Sequence, residues 1–299
     1  MGPQGGFQEL SLRVRDGLRL YGRHYPATRS AKTPVLCLAG LTRNSKDFHD
    51  LASSLCSGPE GRPVYTLDYR GRGKSDWDRN WKNYAVPIEA LDVIDFLAFA
   101  ELKEVAVVGT SRGGLVTMIM AALQPSSISS VVLNDIGPVI ERDGLMRIAG
   151  YVGRVPLPRD WREARNVVRD VNKRSFTGLN DEMWDEIARQ WYNEKRGKPS
   201  PGYDPQLKYA LSVLDGPVPE LWGQFEALKR VPVLVIRGQN TDLLSEKTIE
   251  RMAQRHPRLE RFTVPNEGHA PFLKDRPTQQ VIAEFFDRAD QVGHSRAAA

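Results

Sequence analysis

The fold turns on twelve residues, Val105 to Val116, VAVVGTSRGGLV. Val105 to Gly109 suit a short buried strand, a turn of small residues follows, and a helix-like run begins at Gly113. Three readings of that turn compete. Its glycines could cradle a phosphate, Ser111 could be a nucleophile, or the segment could be a tight turn and nothing more.

The phosphate reading fails on spacing. GTSRGG has glycine at 109, 113 and 114, so the G-x-G start of a dinucleotide fingerprint is missing. The nearby GRGKS (71–75) resembles the end of a P-loop, but that motif needs glycine five positions before Gly73, where Asp68 stands. The nucleophile reading fits better. Gly109-Thr110-Ser111-Arg112-Gly113 matches G-x-S-x-G between a strand and a helix, the context that motif requires. The serine is held in a strained conformation that lifts its oxygen clear of the turn, and side chains two positions to either side would collide. The turn also puts Ser111 at a helix N-terminus, where free N–H groups can stabilise an oxyanion.

A serine nucleophile needs a base. Of the five histidines, His24 lies on a strand, His49 within a helix, His256 at a helix end before Pro257, and His294 in the tail. His269, in NEGHAPF, follows a strand and has small neighbours, which places it where open α/β sheets keep their chemistry. The base needs an orienting acid, and two candidates follow strands: Asp242 in RGQNTDLLS and Asp135 in LNDIGP. The reading favours Asp242, with Asp135 as the rival, or else as a capping or salt-bridged residue paired with Arg112.

The rest of the chain alternates strands and helices. FQELSLRVRDGLRLYGRHY alternates apolar and polar residues about Asp16-Gly17, a hairpin signal. Strands are expected at 34–40, 63–68, 105–109, 131–135, 231–238 and from 261, with helices between them and a last helix at 277–292. Short apolar strands without strict alternation suit a parallel sheet covered on both faces. Between about 139 and 228 the rhythm changes to amphipathic helices that hold four of the six tryptophans, Trp161, Trp184, Trp191 and Trp222. Most of these are expected to form that segment's own core.

With 299 residues, 40% hydrophobic and 26% charged, the chain can bury a large core without a disulfide or metal staple. The net charge of +5 is interleaved with acidic residues, so it reads as a solvated surface and not as a nucleic-acid footprint. Two cysteines, Cys37 within an apolar strand and Cys56 at a helix end, favour a reducing compartment. MGPQGG at the start lacks a signal-peptide pattern and the Ser or Thr that myristoylation needs, and no run of 18 apolar residues occurs. The expectation is a cytoplasmic protein with a small-molecule substrate, no nucleic-acid or membrane partner, possible homo-oligomers, and neither cofactor nor metal site.

These motifs together resemble the α/β-hydrolase superfamily over nearly the whole chain. DYRGRGKS (68–75) is similar to the family's D-x-R-G-x-G-x-S segment, and GTSRGG, LNDIGP, RGQNTDLLS and NEGHAPFL fall in the family's order. The resemblance implies an eight-stranded, mostly parallel α/β sheet with an N-terminal antiparallel hairpin and helices on both faces. Residues 1–138 and 229–292 would form the core, 139–228 a helical cap over the serine, and 293–299 a tail. It implies a Ser111–His269–Asp242 triad in the family's chain order. It also assigns the oxyanion donors to the backbone N–H groups of Leu41 and Arg112, although Ala39-Gly40-Leu41 departs from the His-Gly of many members. The expected activity is that of a serine hydrolase on a small carbonyl substrate, a short, unbranched carboxylic ester foremost. Carbon–carbon or lactone hydrolysis and a slow-turnover ligand-binding role are the alternatives. Arg43 and the Arg112 side chain are candidates to attract a substrate carboxylate.

Overall fold

In the computed structural model, which describes residues 6–28, 30–58 and 60–297, eight strands form one sheet. The opening hairpin pairs β1 (Gln8–Arg13) with β2 (Arg19–Tyr25), and Gly17, at a φ of 85°, turns the chain between them. Then come β3 (Val35–Leu38), α1 (His49–Cys56), β4 (Val64–Asp68), α2 (Val86–Phe99), β5 (Val105–Thr110), α3 (Arg112–Leu123) and β6 (Ile128–Asn134). A long segment follows with α4 (Arg142–Tyr151), α5 (Trp161–Asn172), α6 (Asp181–Trp191), the ribbon β7 (Asn193–Lys195) and β8 (Lys198–Ser200), a 3-10 stretch (Pro205–Asp215) and α7 (Trp222–Glu226). The chain returns to the sheet with β9 (Val233–Gly238), α8 (Glu246–Arg255), β10 (Leu259–Val264) and α9 (Arg276–Ala297).

The sheet order is β1-β2-β4-β3-β5-β6-β9-β10, with β2 antiparallel to both of its neighbours and every other pair parallel. This is the expected sheet. Its strands read as unbroken apolar runs because both faces are covered. Leu36, Leu38, Val107, Leu133 and Val235 point into the core shared with α2, α3 and α8. The alternate residues Val35, Cys37, Val108, Val132 and Ile236 point into the core shared with α1 and α9. Successive side chains on a strand face opposite ways, so a parallel sheet between two helical layers needs both sets apolar. Both cysteines are free, with Cys37 buried in the second of these cores.

The segment between β6 and β9 adds no strand to the main sheet. It carries the ribbon β7–β8, which the sequence reading did not anticipate and whose residues are mostly exposed or partly exposed. Its own small core comprises Ala164, Val168, Phe176, Trp184, Ile187 and Ala188, with Trp161 and Trp191 packed against it. Trp222 instead leans on the main core. At the other end, α9 runs past the expected stop at 292. The N-terminal MGPQG and the last two residues of the tail lie outside the described residues.

Candidate active site

Ser111 stands between β5 and α3 with φ 52° and ψ −113°, a conformation that side-chain-bearing residues rarely adopt. Its neighbours explain why the turn needs glycine. A Cβ at Gly113 would lie 2.1 Å from the Leu38 carbonyl oxygen, and one at Gly109 would meet the Gly113 and Gly114 backbone at 2.7–2.8 Å. The Ser111 N–H donates to the Asn134 carbonyl at 2.9 Å, which ties the turn to the end of β6.

His269 reaches the serine from the loop after β10. Its Nε2 is 2.7 Å from Ser111 Oγ, and its Nδ1 is 2.7 Å from Asp135 Oδ2. The imidazole side chain is 6% exposed and the Asp135 side chain is fully buried. Asp135 sits directly after β6 with φ 56°, and its N–H still donates to Ile236 on the neighbouring β9. Two groups on the β9 loop complete the carboxylate's partners. The Gly238 N–H donates to Oδ1 at 2.9 Å, and the Thr241 hydroxyl donates to Oδ2 at 2.6 Å. A carboxylate that accepts three hydrogen bonds in a buried site is held in one orientation, and so is the imidazole it faces.

This geometry corrects the choice of acid. Asp242, the favoured candidate, does not touch His269. It makes a two-point ion pair with Arg147 on α4, Nε to Oδ2 at 2.5 Å and Nη2 to Oδ1 at 2.8 Å. Burial alone would raise the Asp242 carboxyl, but the Arg147 hydrogen bonds and charge outweigh it and hold the pKa below its usual value. The physical reason lies in strand neighbours. β6 and β9 are adjacent, so a residue after either strand can approach His269. Asp135 follows its strand immediately and stays locked to the sheet edge. Asp242 comes four residues after Gly238, by which point the loop has moved out to α4.

The Arg112 side chain is also placed. It pairs neither with Asp135 nor with open solvent: Nε donates to Glu89 at 2.5 Å and Nη2 to the Tyr84 carbonyl at 2.8 Å. Glu89, on α2 and fully buried, accepts from Arg72 as well, at 2.6 Å. Arg72 in turn donates through Nε to the Leu41 carbonyl at 2.8 Å. One buried carboxylate thus ties down both backbone segments expected to supply oxyanion donors. The Arg112 amide opens α3, where helix N–H groups have no intrahelical acceptor. The loop carrying Leu41 passes close by, since a Cβ on Gly40 would lie 3.9 Å from Ser111 Cβ.

The D-x-R-G-x-G-x-S segment proves architectural. Asp68 accepts from the Ser45 and Lys74 amides, Ser75 bonds back to the Asp68 carbonyl, and Arg70 pairs with Asp16, Asp78 and Asp92. Sequence reasoning missed Glu89, Asn134 and Thr241. Glu89 carried a signal, an acid on the apolar face of α2 with Ala90, Val93 and Phe96. Asn134 Nδ2 donates to Thr110 Oγ1 and to the Pro271 carbonyl, so it steadies the loop that bears His269.

Two chambers meet at Ser111. A small one, about 70 Å³, is lined by Gly40, Arg43, Ser111, Tyr151, Trp191 and His269 among others. A large one, about 600 Å³, is lined by Leu41, Ser111 and Arg112 and by apolar side chains of α3, α4 and the β6 loop. Arg43 donates to Asp47 at 2.8 Å and lies over the Trp191 ring, 4.5 Å from its centroid. Burial pushes the Glu267 carboxyl, in the loop that carries His269, up to about 7. Among the described residues, no three His, Cys, Asp or Glu side chains gather as a metal site would need.

Similarity to known proteins agrees with this fold. The chain is 33% identical over 270 residues to the 3-hydroxybutyrate-oligomer hydrolase of Cupriavidus necator, which covers 85% of this chain and 88% of that protein. It is 24% identical over 277 residues to ethanol acetyltransferase 1 of Cyberlindnera jadinii, 85% of this chain and 80% of that one. A crystal structure of an alpha/beta hydrolase from Novosphingobium aromaticivorans superposes with a TM-score of 0.88 at 33% identity, over 96% of this chain and all of that one. The model of the alpha/beta hydrolase family matches residues 35–284, a span that runs from β3 through the elbow and His269 into the last helix. With its sheet order, its serine turn and that match, the chain belongs to the alpha/beta hydrolase family.

Proposed function

We propose that this protein is a carboxylic-ester hydrolase that works through an acyl-enzyme on Ser111, with His269 as base and Asp135 as orienting acid. The observation that carries the reading is the unbroken hydrogen-bonded chain Ser111–His269–Asp135, at 2.7 Å in each link. His269 takes the Ser111 proton as Oγ bonds to the ester carbonyl carbon, and the Leu41 and Arg112 amides receive the oxyanion. The carbon–alkoxide bond then breaks, and the imidazolium returns its proton to the leaving oxygen. Water adds by the same route. Its oxygen bonds to the acyl carbon, the Oγ–carbon bond breaks, and the proton passes through His269 back to Ser111. The net change is ester plus water to acid plus alcohol.

The relative from Cupriavidus necator supports an ester linkage, since hydroxybutyrate units join hydroxyl to carboxyl. Arg43 lines the chamber on the His269 side, but Asp47 already meets its charge. In this reading Arg43 orients a polar alcohol portion and does not select a carboxylate by charge alone. The segment between β6 and β9 serves as a cap, because α4 contributes Leu145 and Ile148 to the chambers around Ser111.

The test is labelling by a fluorophosphonate probe together with turnover of a simple ester panel. Wild type should label and turn over, and Ser111→Ala should do neither. Equal turnover by the two proteins would sink the reading. The acetyltransferase-named relative makes one further measurement worthwhile: product analysis with ethanol present shows how the acyl group divides between water and alcohol.

A further inference from the structure

The two chambers are unequal in size and in chemistry, and only one of them contains His269. We infer that the large chamber receives the acyl chain and the small chamber the alcohol portion, so that the preferred substrates are esters of long apolar acids with compact alcohols. This rests on Ser111 and His269 acting as proposed above, and it goes on to name the substrate class.

The argument is one of proton delivery. The leaving oxygen must lie within hydrogen-bond reach of His269 Nε2, because the imidazolium protonates it. His269 lines the small chamber and not the large one, so the alcohol side of the scissile bond points into the small chamber. The acyl carbon bonds to Ser111 Oγ with its oxygen toward the Leu41 and Arg112 amides. Its remaining substituent must point away from the imidazole, and the large chamber is the one that His269 does not line. Ser111 and Leu41 line both chambers, and Arg112 lines only the large one.

Size and polarity point the same way. At about 70 Å³ against about 600 Å³, the small chamber is the one suited to a compact alcohol and then to the attacking water. The chamber of about 600 Å³ falls in the ordinary range for a ligand pocket. Its walls include Leu115 and Ile119 from α3, Ile136 and Ile140 after β6, and Leu145 from α4. Of the two cations that line it, Arg112 is committed to Glu89 and the Tyr84 carbonyl, and Lys82 is exposed. A neutral hydrocarbon chain is the ligand such walls favour.

The experiment is a matrix of two ester series on the full chain, followed by pH-stat titration. One series is the ethyl esters of acetic to decanoic acid, and the other is the acetates of ethanol to octanol. Burying one methylene is worth a rise in kcat/KM of up to about fourfold, the equivalent of ~0.8 kcal/mol. We expect ethyl octanoate to exceed ethyl acetate by at least about 30-fold, and octyl acetate to gain less than about threefold over ethyl acetate. In Ile119→Trp, whose ring occupies the large chamber, the octanoate-to-butanoate ratio should fall by at least about tenfold. A flat acyl series, or octyl acetate ahead of ethyl octanoate, overturns the assignment. If that occurs while the probe still labels Ser111, the hydrolase reading stands and only the chamber assignment falls. No labelling and no turnover of any ester removes both.

Discussion

Replacing each of two aspartates by asparagine separates the observed geometry from its rival. In Asp135→Asn the carboxylate loses one acceptor and gains a donor. The site offers that group three donors: the Gly238 amide at 2.9 Å, the Thr241 hydroxyl at 2.6 Å and the His269 Nδ1–H at 2.7 Å. If the new NH2 faces His269, Nδ1 must accept, the proton moves to Nε2, and the imidazole can no longer take the Ser111 proton. If the amide flips, the NH2 opposes the Gly238 N–H in a buried site, which costs about 1–3 kcal/mol. The first arrangement should prevail, with a loss of kcat on the order of 10⁴, or ~5 kcal/mol of transition-state stabilisation. Asp242→Asn breaks only the pair with Arg147, whose side chains are 30% and 35% exposed. After solvent screening such a pair is worth about 0–1 kcal/mol, and activity should stay within about threefold of wild type. The assay is kcat/KM on ethyl butanoate, with circular dichroism to show that both variants are folded. A folded Asp242→Asn that loses 100-fold while Asp135→Asn keeps its activity would refute the reasoning.

Three other variants probe the scaffold. Ser111→Gly relieves the positive φ at the elbow and should be about 1–2 kcal/mol more stable than Ser111→Ala by urea denaturation. Equal stability would show that the turn carries little strain. Glu89→Gln leaves the Arg72 and Arg112 guanidiniums buried against a neutral group and should cost about 3–5 kcal/mol. A Tm within 2 °C of wild type would contradict that. For Glu267, burial raises the carboxyl from 4.5 to about 7, so above pH 4.5 the unfolded chain releases a proton that the folded chain keeps. The folded form therefore loses stability as pH rises from about 4.5 to 7. Glu267→Gln keeps an acceptor for the Phe272 N–H and carries no such cost. Its stability relative to wild type should grow between pH 4.5 and pH 8 by on the order of 1–3 kcal/mol, and an unchanged difference would refute the shift.

Much of the candidate site was legible in the sequence. The glycines at 109 and 113 announce a turn that no side chain can enter, and the structure shows the backbone atoms they avoid. His269 was separable from the other histidines because it alone follows a strand in a small-residue loop. His24 stacks on Tyr65 and His256 bonds to the Leu228 carbonyl, both in structural roles. The acid was not separable. Asp135 and Asp242 both follow strands and both satisfy the order Ser, Asp, His. Which one turns inward depends on the Gly238 and Thr241 donors, and these come from a strand about a hundred residues away from Asp135.

Local pattern by itself determined the strands of the main sheet, the elbow and the choice of Ser111 and His269 as candidates, because strand burial and tight-turn sterics act over a few neighbouring residues. Tertiary structure alone decided the partner of His269, the pairing of Arg112 with Glu89 and the division of the space above Ser111 into two unequal chambers. Each of these is a meeting of side chains from separate elements. Which carboxylate meets which cation is settled by the register of β6 against β9 and by the packing of α2 and α4 on the sheet. The register leaves no mark in the sequence near the residues concerned, and α2 shows only an acid on its apolar face without naming the cation it meets.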